Sequence, residues 1–349
     1  MLKNVLRPKR GRLKKGLVFL VIVSILVLLV VQYENYYGLS LDNKRLEISK
    51  CPACLGEDIC SSFFQNKIKL KKPSVFLKYF FNAKNVYEGQ FESHEPRDVM
   101  LKKLGSDEEW RDFDKKVCEF YHRSEKCSPA NAIRHLASLW MNTNGILNLS
   151  VLKDHLPESS ETFTCDSSSS NLMAFLQSRA SRQKPEHFLT SVMINPEPII
   201  AMAFPSSEGW PFPKYYGSCG RFSVFENAGQ PLANFLKADW TLRARFALQI
   251  LELAQKMSDN AVLSLYLTDW SLDNFAVEIQ KFQVKLIDLE NIILVNKTEV
   301  ERVKAPGFDI DHHSTAFGCE HRCFSYFAPD LCSHMKVSIC SSISLSFFI

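Results

Sequence analysis

Leu267-Thr268-Asp269-Trp270-Ser271-Leu272-Asp273-Asn274-Phe275, running on through Ala276 to Ile287-Asp288-Leu289-Glu290, decides how this chain is read. Phe275, Val277 and Ile279 alternate with polar positions, and so do Phe282, Val284 and Leu286. Period-two alternation on both sides of Gln280-Lys281 predicts two short strands and a hairpin turn. An antiparallel pair centred there sets opposite each other residues whose numbers sum to about 562. Asn274 and Asp288 satisfy that sum, and Asp269 would loop back beside them. Two metal-competent oxygens would then lie side by side. Magnesium suits such a pair, because it takes one or two protein oxygens and completes its shell with phosphate and water. The carboxylate of Asp269, five residues before the asparagine, is free to orient a hydroxyl. Asp273 reads as a turn residue.

Working outward, Leu242, Phe246, Ile250, Leu253 and Met257 recur at spacings of three and four, which predicts a helix from about Thr241 to Met257. Asp239 suits its start and Asn260 its exit. Ser106 with Glu109 three residues later is a capping box for a second, charged helix reaching Tyr121. Pro and Gly crowd the stretch from Asn195 to Gly220, which reads as turns and short strands, and Asp166 to Ser170 reads as a surface loop.

The 349 residues are 46% hydrophobic, enough for one two-lobed domain. Seven cations (Lys3, Arg7, Lys9, Arg10, Arg12, Lys14 and Lys15) stand ahead of the apolar run from Leu17 to Val31, which only Ser24 interrupts. Removing those seven from the formal charge of +4 leaves −3 for the remainder, so the basic balance is no argument for nucleic-acid binding. A basic region before an apolar run is the pattern of a signal peptide or signal anchor with its positive end in the cytosol. The expected division is a basic tail and signal segment over 1–40, a Cys-rich lumenal segment over 41–62, an N-terminal lobe with insertions over 63–225, a C-terminal lobe over 226–335 and an atypical tail over 336–349.

The eleven cysteines suit an oxidising lumen, where disulfides are the default. Cys51-Pro-Ala-Cys54 also reads as half a zinc site or a redox motif. In that compartment the sequons at Asn148 and Asn296 become glycosylation sites.

Asp-x-x-x-x-Asn followed by two strands and an Asp resembles the catalytic loop and metal-binding Asp of protein kinases. More narrowly, Lys50-Cys-Pro-Ala-Cys54, Glu208-Gly-Trp-Pro-Phe212, Lys214-Tyr-Tyr-Gly-Ser-Cys-Gly220 and Asp273-Asn-Phe-Ala-Val277 resemble the divergent protein kinase domain family of the secretory pathway, the deleted-in-autism-like group. The resemblance covers about residues 45–335. It implies an α+β, bilobal kinase-like fold, with a shortened C-terminal lobe after Glu290. It also implies ATP with Mg or Mn held by Asn274 and Asp288, and Asp269 as acceptor of a substrate hydroxyl proton. Val99-Met-Leu-Lys102 looks like the strand that carries the phosphate-pairing lysine. Glu109 would be its helix partner, with Glu108 and Glu119 as alternatives, and Glu226 would open the hinge that holds the cofactor. The implied location is the Golgi lumen or membrane, or outside the cell, and the implied partner a lumenal or extracellular protein substrate or receptor. The N-terminal segment would add a membrane contact if it is not cleaved.

The chain departs from the kinase pattern in three places. Leu267-Thr268 replaces His-Arg, Glu290 stands where a glycine follows the metal-binding Asp, and no glycine-rich phosphate loop precedes Lys102, where Gly89 stands alone. These departures support the alternative, a pseudokinase acting as a secreted signalling factor or scaffold. Asp309-Ile-Asp311-His312-His313 reads as a polar loop of the activation segment.

Overall fold

The computed structural model describes residues 43–71, 85–92, 95–121, 127–141, 145–148, 170–259, 263–267 and 269–296, with Ser24, Ile25 and Leu28. The rest of the apolar N-terminal run, most of the Ser-rich stretch, the Asp309–His313 motif and the four late cysteines lie outside the described residues. Among the described residues no helix is long and apolar enough to cross a membrane.

Five strands, β1 (Ile68–Leu70), β2 (Val86–Phe91), β3 (Arg97–Lys103), β4 (Tyr215–Cys219) and β5 (Phe222–Glu226), form an antiparallel sheet in the order β1-β2-β3-β5-β4. Alternation along β3 sorts its side chains. Val99 and Leu101 join Leu46, Ile59, Phe63, Phe222 and Val224 in a small core on one face. Lys102 is therefore turned to the other face, where Phe225 belongs to the main core.

Helix α1 (Cys60–Phe64) and the segment before it wrap over the β4–β5 hairpin. Gly220 turns that hairpin with φ of +62°, and a Cβ there would stand 1.7 Å from the Leu46 carbonyl oxygen. Only glycine permits that approach. Around it, Leu55 donates to the Gly220 carbonyl, Gly220 to Gly56, and Arg221 to Leu46. The Arg221 side chain, buried over the Trp110 ring, pairs with Glu47 and Asp114, and a Cys60–Cys219 disulfide fastens the same segment. Cys51 and Cys54 are joined to each other and Cys118 to Cys127. Of the readings left open for the CxxC motif, the structure contains the disulfide.

The lower surface of the sheet is covered by helices α2 (Asp107–Phe120), α3 (Pro129–Trp140), α4 (Ser170–Arg179), α5 (Pro185–Ile194) and α6 (Glu197–Ala203). The capping box of α2 forms as predicted: Ser106 Oγ accepts from the Glu109 N–H, and Glu109 Oε2 accepts from the Ser106 N–H. The turns-and-strands reading of Asn195 to Gly220 is corrected by α6. Pro198 lies in its first turn, where no intrahelical donor is lost, so Asn195-Pro-Glu-Pro opens a helix instead of breaking one.

Beyond β5, β6 (Gln230–Pro231) pairs with β8 (Phe275–Glu278), and β8 with β9 (Gln283–Leu286), while β7 (Leu263–Leu267) pairs with β10 (Ile292–Asn296). Helix α7 (Trp240–Ser258) runs one residue past each predicted end. The Asp239 side chain caps it through the Leu242 N–H, and Phe246, Ile250, Leu253 and Met257 are buried. The β8–β9 hairpin forms with Phe275 opposite Leu286. That register is one residue tighter than predicted, because the turn carries Phe282 in a left-handed conformation. Asn274 therefore faces Ile287, whose N–H donates to the Asn274 carbonyl at 2.8 Å, and Asp288 sits one step beyond.

Candidate functional site

The site is built around Lys102. β3 projects its ammonium beneath the sheet, 5.2 Å from the centroid of the Phe225 ring, into a contact with Glu197 Oε1 at 2.6 Å. The same nitrogen donates to the Ile287 carbonyl at 2.5 Å, directly before Asp288. Glu197 is 2% exposed, so the pair is out of bulk water. Burial pushes the Glu197 carboxyl up to about 8, while the Lys102 ammonium pulls it down. For Lys102, loss of water favours the neutral amine, but the carboxylates of Glu197, Asp288 and Glu290 outweigh it, and its pKa is raised.

The sequence-based partner is thereby corrected. Glu109 does not meet Lys102. Its carboxylate closes the α2 capping box and acts on the site only electrostatically, through Glu290. Glu197 was missed because the Pro-rich stretch hid its helix. The usable signal was a lone carboxylate beside Ile199, Ile200 and Ala201, since a charge in an apolar segment needs a partner.

The loop before β8 folds on itself. Asp269 Oδ1 accepts from the Ser271 N–H at 3.0 Å, Ser271 Oγ accepts from the Asp273 N–H at 3.4 Å, and a short 3-10 turn spans Leu272–Asn274. Asp273 is exposed in that turn. Asn274 is 2% exposed, and its Nδ2 donates to the Asp269 carbonyl at 3.3 Å. Trp270 stacks on Phe275 and holds the loop to the hairpin. Asp288 Oδ1 accepts from the Glu290 N–H at 3.4 Å. Asp269, Asn274 and Asp288 are thus linked through one hairpin end, and Ile287 ties that end to Lys102.

Glu226 ends β5. Its carboxylate accepts from the Lys214 N–H and from Lys285 Nζ, which fastens the strand end to β9. Asn148 is exposed, whereas Asn296 ends β10 opposite Leu263 and is half-buried.

Among the described residues no group of three or more His, Cys, Asp or Glu gathers as a metal cage. The donor set that fits magnesium or manganese is Asn274 with Asp288, completed by phosphate oxygens and water. Lys102 interacts with three carboxylates, Glu197, Asp288 and Glu290.

A buried lysine–glutamate pair beneath a five-stranded antiparallel sheet, facing the open end of a hairpin that carries both an Asn and an Asp, defines a protein-kinase-like domain of α+β architecture. Comparison with known proteins agrees. A family profile described as the protein-kinase domain of FAM69 matches residues 189–343. Divergent protein kinase domain 2A of Homo sapiens is 29% identical over 355 residues, covering 95% of this chain and 81% of that protein, and its Mus musculus counterpart is 29% identical over 354. Divergent protein kinase domain 2B of Bos taurus is 26% identical over 66% of this chain and 57% of its own length. In sequence the chain is similar to the divergent protein kinase family over nearly its whole length.

Proposed function

We propose that this protein is a secretory-pathway kinase-like protein that binds ATP with Mg or Mn and transfers its terminal phosphate to a hydroxyl of a lumenal or extracellular protein. The observation that carries the reading is the buried Lys102–Glu197 pair held against the Ile287 carbonyl next to Asp288. In this reading Lys102 holds the α and β phosphates and Glu197 fixes the ammonium. Asn274 and Asp288 hold the cation, which supplies charge neutralisation on the phosphates. Asp269 accepts the proton of the hydroxyl whose oxygen bonds to the γ-phosphorus as the bond to the β-phosphate oxygen breaks and ADP leaves. Catalysis of this kind rests on positioning and charge, not on covalent chemistry. The three disulfides among the described residues favour an oxidising compartment, the Golgi lumen or the extracellular space. In that setting the N-terminal apolar run acts as signal or type II anchor, and Asn148 and Asn296 carry glycans.

The test is a thermal-shift titration of the glycosylated protein with ATP and Mg or Mn. Stabilisation that needs both nucleotide and metal, and is lost in Asp288→Ala, supports the reading; no shift with either metal refutes it. A second reading is favoured by Glu290, whose carboxylate lies in the electrostatic reach of Lys102. An added anion there disfavours phosphate, as in a pseudokinase serving as a secreted signal or scaffold. Asp269→Asn separates the two: unchanged activity of folded, secreted protein on cells supports the scaffold, and its loss supports phosphotransfer.

A further inference from the structure

A closed circuit of contacts joins three elements at the site, and one buried side chain closes it. Asn195, 3% exposed, ends α5. Its Oδ1 accepts from the Glu197 N–H at 2.9 Å, and its Nδ2 donates to Glu290 Oε2 at 2.6 Å. Only this orientation of the amide serves both partners, since one needs an acceptor and the other a donor. The Glu197 N–H is among the first donors of α6, which no intrahelical carbonyl can satisfy, so Asn195 fixes where that helix starts. From there the circuit runs through the Glu197 carboxylate to Lys102, and from Lys102 to the Ile287 carbonyl. Three peptide units lead on to Glu290, whose own N–H donates to Asp288 and whose carboxylate returns to Asn195.

We infer that Asn195 is a positioning residue that latches the Glu197 helix to the Asp288–Glu290 segment, with the Glu290 carboxyl as its acceptor. The inference rests on the nucleotide-site reading above for its functional consequence, but the latch is a property of the fold. With the latch closed, Glu197, Lys102 and Asp288 keep fixed relative positions. Released, α6 and the segment after β9 move independently, and the lysine and the metal-binding Asp lose their shared reference. A hydrogen bond made in one arrangement and lost in the other is a device with two states.

Asn195→Asp tests it, because it keeps the acceptor for the Glu197 N–H and turns the donor into a second carboxylate facing Glu290. Expected are faster amide exchange in residues 197–203 and 287–292 together and an ATP–Mn affinity lowered about tenfold, within the usual range of coupling between sites. The double variant Asn195→Asp/Glu290→Gln restores the bond with reversed polarity, and both readouts should return. Glu290→Ala, altered on the exposed side, should loosen α6 as Asn195→Asp does, and it serves should Asn195→Asp fail to fold. Exchange that quickens in one segment only, or is not rescued in the double variant, overturns the latch. If wild-type protein binds no ATP–Mn while exchange behaves as expected, the nucleotide reading fails and the latch stands.

Discussion

Replacing Lys102 by Met keeps the length of the side chain and removes its charge from beneath the sheet. Glu197, 2% exposed, is then left without its cation. Breaking a buried pair from one side costs about 3–5 kcal/mol, because the remaining charge is stranded. At about 2–4 °C of melting temperature per kcal/mol for domains of 150–250 residues, the expected loss is roughly 6–20 °C. The loss must depend on pH. Burial already pushes the Glu197 carboxyl up to about 8 with the ammonium in place, against an ordinary 4.5, and removing the ammonium raises it further. A group whose folded value lies above its unfolded value holds its proton more tightly in the folded state. In wild type the cost of losing that proton grows by about 1.4 kcal/mol per pH unit between about 4.5 and 8 and then levels off; in Lys102→Met, whose folded value is higher, it goes on growing above 8, so the two proteins separate there. Urea or thermal melts at pH 6.5, 8.0 and 9.5 should show the gap between Lys102→Met and wild type widening most at the highest pH. Lys102→Met/Glu197→Gln should recover much of the loss at pH 9.5. Lys69→Met, which breaks an exposed pair with Glu92, provides the scale and should cost at most about 1 kcal/mol. If Lys102→Met costs no more than Lys69→Met at pH 9.5, the buried-pair reasoning is refuted.

Three further outcomes are expected. Ser106→Ala should cost about 1 kcal/mol in chemical denaturation and leave nucleotide binding untouched, since Glu109 serves a helix cap and not Lys102; a loss of ATP binding would restore Glu109 to the site. Gly220→Ala should cost more than about 3 kcal/mol or abolish folding, because the new methyl meets the Leu46 carbonyl at 1.7 Å in a left-handed backbone; normal yield and melting temperature would contradict the docking of the N-terminal segment. Removing the 159-residue crosslink with Cys60→Ser/Cys219→Ser should cost about 5 kcal/mol in the chain-entropy picture, read from denaturation of oxidised wild type against variant. A loss below about 1 kcal/mol would mean that the Arg221 contacts alone hold that segment.

The contrast between Glu109 and Glu197 shows where sequence reading ran out. Each is a carboxylate near a helix start. Ser106-x-x-Glu109 announces itself, because a capping box is written in four consecutive residues, and the structure forms it. Glu197 acquires its role only by meeting Lys102, 95 residues away. Prolines on both sides disguised its helix as a turn. The hairpin register shows the same limit on a smaller scale: alternation fixed the faces of β8 and β9, while the turn at Phe282 moved the opposing pair by one.

Local periodicity and short motifs therefore determined the two strands of the β8–β9 hairpin, the long helix after Asp239, the caps, and the polar residues competent for metal and proton chemistry. Those features depend on neighbours within one or two turns of chain, and a sequence displays such neighbours directly. Tertiary structure alone decided which carboxylate holds Lys102, that Asn195 bridges Glu197 to Glu290, and which cysteines join across the N-terminal segment. Each of those is a choice among chemically equivalent groups far apart in sequence, and only the packing of helices beneath the sheet sets the distances that separate one choice from another.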